Sequence, residues 1–154
     1  MDIFKHISEF LFPQKKEELY CSLTTILGFS PKCKNLGLYK QALQHKSVAL
    51  RDEEGHSINN ERLEFLGDAI IEAVASNYLF RKYPNRPEGF LTTARSKMVQ
   101  RSTLGELSEK IGLDSLVKAS IRGDAHNSYI GGNAFEALVG AIYLDRGYRY
   151  CQRF

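Results

Sequence analysis

The sequence has no apolar run approaching the ~18–20 residues that a membrane-spanning helix needs. Its first residues also lack the pattern of a cleaved signal peptide. A cytoplasmic protein with no membrane partner is therefore expected. Cysteine is scarce: Cys21, Cys33 and Cys151 are the only three, and none forms a CxxC pair. An odd count without metal-type spacing argues against a disulfide framework or a zinc site and leaves reduced thiols. The four histidines, His6, His45, His56 and His126, are scattered. No HExxH occurs, so a zinc hydrolase has little support. Glu53 and His56 make one ExxH, but in a polar stretch; a di-iron site needs two such pairs on helices, so this match reads as chance. There is no GxxxxGK loop to cradle phosphates and no nucleophile elbow around a serine. No organic cofactor is expected.

Repeats, low-complexity stretches and long alternating strand patterns are missing as well. What remains is helical spacing almost everywhere. With 154 residues, 43% apolar and 25% charged, the chain fits one domain with a real core. The net charge of +3 permits nucleic-acid binding without demanding it. The apolar periodicity predicts helices over residues 2–12 (stopped by Pro13), 16–27, 36–43, 61–83, 88–98, 102–111 and 133–145. Polar loops are predicted over 51–60 and 120–129. The expected fold is an all-α bundle.

Two of these helices are unusual. In NERLEFLGDAIIEAVASNYLF, Glu61, Glu64, Asp68 and Glu72 fall within roughly an 80° arc. Leu63, Leu66, Ile70 and Val74 fall opposite and should face the core. A solvated acidic face is the commoner explanation for such a stripe. Yet a solvent face normally carries Lys or Arg at i+4 to relieve repulsion, and here only acids recur. Phe65 projects beside the stripe, away from the predicted core, which suggests that a partner surface covers it.

In GGNAFEALVGAIYLD, nearly every residue is apolar or glycine on all sides, the mark of a central helix. Glu136 sits inside it, and an unpaired buried carboxylate costs several kcal/mol. It must be protonated, paired or bound to a metal. Asn133, Glu136 and Gly140 share a face, with Ala137 beside them, and small residues there let another helix approach closely. If the two helices pack with these faces together, Glu64 and Asp68 meet Asn133 and Glu136. Oxygen ligands without His or Cys suit Mg²⁺, with Mn²⁺ as a substitute. Such an ion supports phosphodiester hydrolysis. Asn133 fits a helix N-cap equally well.

These motifs carry a resemblance. NERLEFLGDAII is similar to the signature of the ribonuclease III family of double-stranded-RNA endonucleases. LYKQALQHKSVA resembles the upstream segment of that family, with His45 and Ser47 on its characteristic positions. EGFLTTARSKMVQRSTLGELSEKIGL resembles the segment after the signature, with Arg95 on its usual arginine. NAFEALVGAIYLDRGY resembles the second acidic motif. The four segments span residues 36–148 in the family's order.

The resemblance implies the endonuclease-domain helical bundle, working as a homodimer on double-stranded RNA, as in ribosomal RNA precursor processing. The implied products are 5′-phosphate and 3′-hydroxyl ends. It further implies Mg²⁺ held by Glu64, Asp68, Glu136 and position 133, with Asp68 and Glu136 catalytic. Glu61 and His45 would serve the substrate, and Phe65 would enter the partner subunit. Position 133 departs from the pattern: the family has Asp where this chain has Asn, so the site has one negative charge fewer. A weakened domain that binds structured RNA without cutting it is the alternative of a different class. The ExxE of Glu61 and Glu64 also superficially matches an all-α nucleotide pyrophosphohydrolase. The chain is expected to be a catalytic domain, 1–154, without the double-stranded-RNA-binding domain that bacterial members usually carry after it.

Overall fold

The computed structural model describes the backbone of residues 13–120 and 124–154, and side-chain surroundings for 17–120 and 129–154. The helix expected over 2–12 lies outside the described residues. The described residues form seven α-helices in order: α1 (Pro13–Leu27), α2 (Leu36–Ala42), α3 (Glu61–Lys82), α4 (Glu88–Met98), α5 (Arg101–Lys110), α6 (Asp124–Arg146) and α7 (Tyr148–Arg153). Among the described residues there is no strand, only two isolated bridges, Gln44 with Lys118 and Arg51 with Ser57. No described helix is long and apolar enough to cross a membrane.

Most boundaries follow local chemistry. Gly28, Gly112 and Gly147 end helical segments at φ of 68°, 75° and 83°, a backbone that L side chains adopt only with strain. Two boundaries differ from expectation. The helix expected over 16–27 begins earlier, at Pro13; at a first helical position the missing N–H of proline would have had no partner anyway. The segment predicted as a loop over 120–129 is helical from Asp124 onward. Its polar residues form the outer end of a long helix whose apolar half begins later. Asn133 is therefore interior to α6, and its N-cap reading is excluded.

The second unusual helix is central, as its composition implies. Ala134, Ala137, Leu138, Val139, Ala141 and Ile142 of α6 are all buried. Around them pack Leu23 and Leu27 of α1, Leu36, Tyr39 and Ala42 of α2, Leu63 of α3, Leu113 and Cys151. The buried line of α3 is Leu63, Gly67, Ala75 and Leu79, with Ile70, Ile71 and Val74 packed against the core. Leu66, expected on that line, is only partly buried, because α3 turns its glycine face to α6.

That glycine contact decides the geometry. A Cβ built on Gly67 collides with the carbonyl oxygen of Glu136, and one built on Gly140 collides with the carbonyl oxygen of Leu63. The two backbones therefore touch at the crossing, closer than the usual 8–10 Å axis separation between helices allows. The far end of α6 is tied down separately. Buried Asp145 accepts hydrogen bonds from the Lys32 amide (3.0 Å), Asn35 Nδ2 (2.7 Å) and Tyr39 Oη (2.8 Å). Burial alone would raise its pKa, but those donors outweigh it and hold the carboxyl below its usual range.

Candidate metal and nuclease site

The α3–α6 crossing brings the acids of the two motifs together. Glu136 follows the touching carbonyl into the space beside α3 and is buried, 5% exposed. Burial, then the nearby Asp68 and Glu64, push its carboxyl from 4.5 up to about 7; Arg101 opposes them. Glu64 is mostly buried. Burial raises its pKa too, against Arg101, whose Nη2 stands 3.9 Å from Glu64 Oε1. Asp68, one turn on, is exposed. Asn133, at i−3 from Glu136 and hence on the same face, has a buried Oδ1 with no hydrogen-bond partner among the described residues.

This orphaned oxygen is the test of whether a cation fits. A buried carbonyl oxygen without a donor normally costs about 1–3 kcal/mol; of the four unpaired buried atoms among the described residues, Gln44 Nε2, Asn60 Nδ2 and Arg146 Nε are donors and the Asn133 oxygen alone is an acceptor. A hard divalent ion is a natural partner for it and for carboxylates that resist ionising together. Glu64, Asp68, Asn133 and Glu136 thus fit the ion that the motifs imply. Among the described residues, no three His, Cys, Asp or Glu side chains already converge at ligand distance. The set closes only by side-chain movement toward an ion, with the amide as one of its members.

The other candidate residues take different places. Glu61 turns from the acids to Lys46 Nζ at 3.1 Å and to Asn59; the Lys46 contact lowers its pKa first of all. The acid stripe therefore does have cationic relief, from Lys46 and Arg101 on other segments. Glu72 is simply exposed. His45 is buried on the same flank. Its Nδ1 accepts the Ser47 amide (3.2 Å) and lies 2.8 Å from Ser47 Oγ. Burial, then Lys46, lowers its pKa, so it is a neutral ring held by the turn after it. Arg95 donates to Ser76 Oγ at 3.0 Å and joins α4 to α3. Phe65 is 83% exposed, the most exposed of the large apolar side chains among the described residues. His56 faces Asp52 and Glu54, so its ExxH with Glu53 forms no site.

Sequence reasoning missed Arg101. A signal was present: a cation as the first residue of a helix opposes the helix dipole and calls for nearby acids. It also passed over Gly67, which reads as an ordinary interruption of an apolar helix.

The Glu136 shift has a consequence for stability without metal. Its folded pKa of about 7 exceeds the reference 4.5, so between these values the folded chain binds more protons than the unfolded one. This group's penalty is absent below the window, grows as pH rises through it, and is complete above it. Glu136→Gln should therefore stabilise the metal-free protein at about pH 8 by roughly 1–3 kcal/mol and leave it nearly unchanged at about pH 4.5. Urea unfolding at the two pH values checks this; an equal effect at both would contradict it.

Known proteins resemble this chain in sequence and in fold. The profile of a family described as Ribonuclease-III-like matches residues 35–154. Ribonuclease 3 of Bacteroides fragilis is 55% identical over 141 residues, 92% of this chain and 48% of that protein. Ribonuclease 3 of Phocaeicola vulgatus is 54% identical, over 92% of this chain and 45% of that one. The chain thus spans about half the length of the curated relatives it matches. A solved nuclease domain of ribonuclease III from Campylobacter jejuni, described for flexibility in its dimer-forming region, superposes with a TM-score of 0.71 at 32% identity. The superposition covers 86% of this chain and 90% of that one. On the family match, the relatives and the shared nuclease-domain fold, this chain belongs to the ribonuclease-III-like family.

Proposed function

We propose that the chain is a divalent-metal-dependent endoribonuclease that hydrolyses double-stranded RNA to 5′-phosphate and 3′-hydroxyl ends. The observation that supports this reading is the α3–α6 crossing, which brings Glu64 and Asp68 near enough to Glu136 to raise its pKa, with the buried Oδ1 of Asn133 one turn before Glu136 on the same helix. Those four would hold Mg²⁺ or Mn²⁺. When bound, the ion supplies charge stabilisation at a phosphoryl oxygen and a more acidic water. Glu136, whose carboxyl is pushed up to about 7, would be one of the residues holding the ion in its ionised form, and its carboxylate oxygens would accept a hydrogen bond from an attacking water and orient it. Asp68, which is exposed, is read as meeting the phosphate side. Glu61 and His45, on the flank with Lys46, are read as facing the substrate. Recognition would run through phosphates and 2′-hydroxyls, because A-form RNA hides the base edges of its deep groove.

Asn133 favours a second reading, a domain that binds duplex RNA but cuts it weakly or not at all. With Asn in place of Asp the ligand set has one charge fewer, which lowers its attraction for Mg²⁺. Cleavage of duplex RNA over a range of Mg²⁺ and Mn²⁺ separates the readings. Cutting is expected, with Asn133→Asp shifting the half-maximal metal concentration down about tenfold, ~1.4 kcal/mol. No cutting by either protein at any metal level sinks the enzyme reading.

The working form is read as a homodimer in which Phe65 enters the second copy. Support comes from its exposure on α3 beside the site, where a large apolar ring is costly to leave wet within a patch. Sedimentation should give a dimer for the wild type and a shift toward monomer for Phe65→Ala. A monomer in both would refute this.

A further inference from the structure

Arg101 has no part in the ligand set, yet the fold holds it against that set. It is the first residue of α5, where a cation works against the helix dipole. The start of α5 is seated on α6 at Gly132: a Cβ there would lie 3.1 Å from the Arg101 carbonyl oxygen and 3.6 Å from the Gly105 amide. Gly132 is the immediate neighbour of Asn133. The same close approach that seats Gly132 therefore fixes the base of the Arg101 side chain relative to Asn133 and Glu136. From that base the guanidinium reaches Glu64 at 3.9 Å.

As a structural ion pair this contact is worth little. The Arg101 side chain is 58% exposed, and exposed pairs contribute about 0–1 kcal/mol. Its effect falls instead on what the carboxylates bind. Three carboxylates and a neutral amide present three negative charges, and Arg101 cancels part of that field at Glu64. A guanidinium and a divalent ion beside one carboxylate repel each other, and the flexible, exposed arginine must swing away for the ion to enter. We propose that Arg101 is a built-in competitor for the cation site and sets how tightly Glu64, Asp68, Asn133 and Glu136 hold a divalent ion. Once displaced, its guanidinium stands at the rim, free for a substrate phosphate. This inference rests on the metal reading above.

The experiment is Mn²⁺ binding without RNA, followed by the electron paramagnetic resonance signal of free Mn²⁺. About pH 8.5 keeps the carboxylates ionised. Wild type, Arg101→Lys, Arg101→Gln and Arg101→Glu form a charge series, and circular dichroism checks that each is folded. Lys should match the wild type within about twofold, Gln should bind roughly 3- to 10-fold tighter, and Glu tighter still. Equal or weaker binding by the Gln and Glu variants overturns the competitor role while leaving the metal site standing. No Mn²⁺ binding by any of the four overturns the metal site itself and this inference with it.

Discussion

The backbone contact between Gly67 and Gly140 is the constraint on which the rest of the structure depends. Neither glycine can carry even a methyl group, because each faces a carbonyl oxygen of the opposite helix. With side chains removed at the crossing, α3 and α6 meet backbone to backbone. Glu64 and Asp68, on the helix that carries Gly67, then come close enough to Glu136 on the other helix to raise its pKa, and Asn133 lies one turn before Glu136. Any larger residue at the crossing would separate the helices and, with them, the acids.

That space is an unfavourable place for charge. Glu136 is buried beside two other carboxylates, and burial and their charge push its pKa up to about 7. The core does not need this carboxylate; apolar residues surround it on α6. The chain tolerates the cost because packing elsewhere is extensive and because Asp145, fully satisfied by three donors, anchors the other end of the same helix. One helix thus carries two buried acids in opposite conditions. Asp145 has its partners within the protein and is ionised. Glu136 has two other carboxylates and Arg101 acting on it, and the Asn133 oxygen has no partner among the described residues.

Much of this was legible in the sequence. The oily composition of α6 announced its central place, and its small residues announced a close neighbour. Glu64 and Asp68 at i, i+4 could meet an acid on that neighbour only if the helices crossed there, as they do. What could not be read is what depends on distant segments. Lys46 and Arg101 relieve the acid stripe from other parts of the chain, so a search for i+4 partners along α3 finds nothing. Asn133 looked like a cap because the polar turn before it reads as loop. Only the start of α6 at Asp124 removes that reading. Pro13 carries the same ambiguity, since proline both stops and starts helices.

The central claim is that Asn133 and the three carboxylates form one cation site. Anomalous scattering from crystals soaked in Mn²⁺ tests it most directly. The account predicts a single Mn²⁺ peak bonded to Asn133 Oδ1 and to carboxylate oxygens of Glu64, Asp68 and Glu136, at about 2.1–2.2 Å. A peak elsewhere, or a site whose ligands omit the Asn133 oxygen while that oxygen stays buried and partnerless, would contradict it.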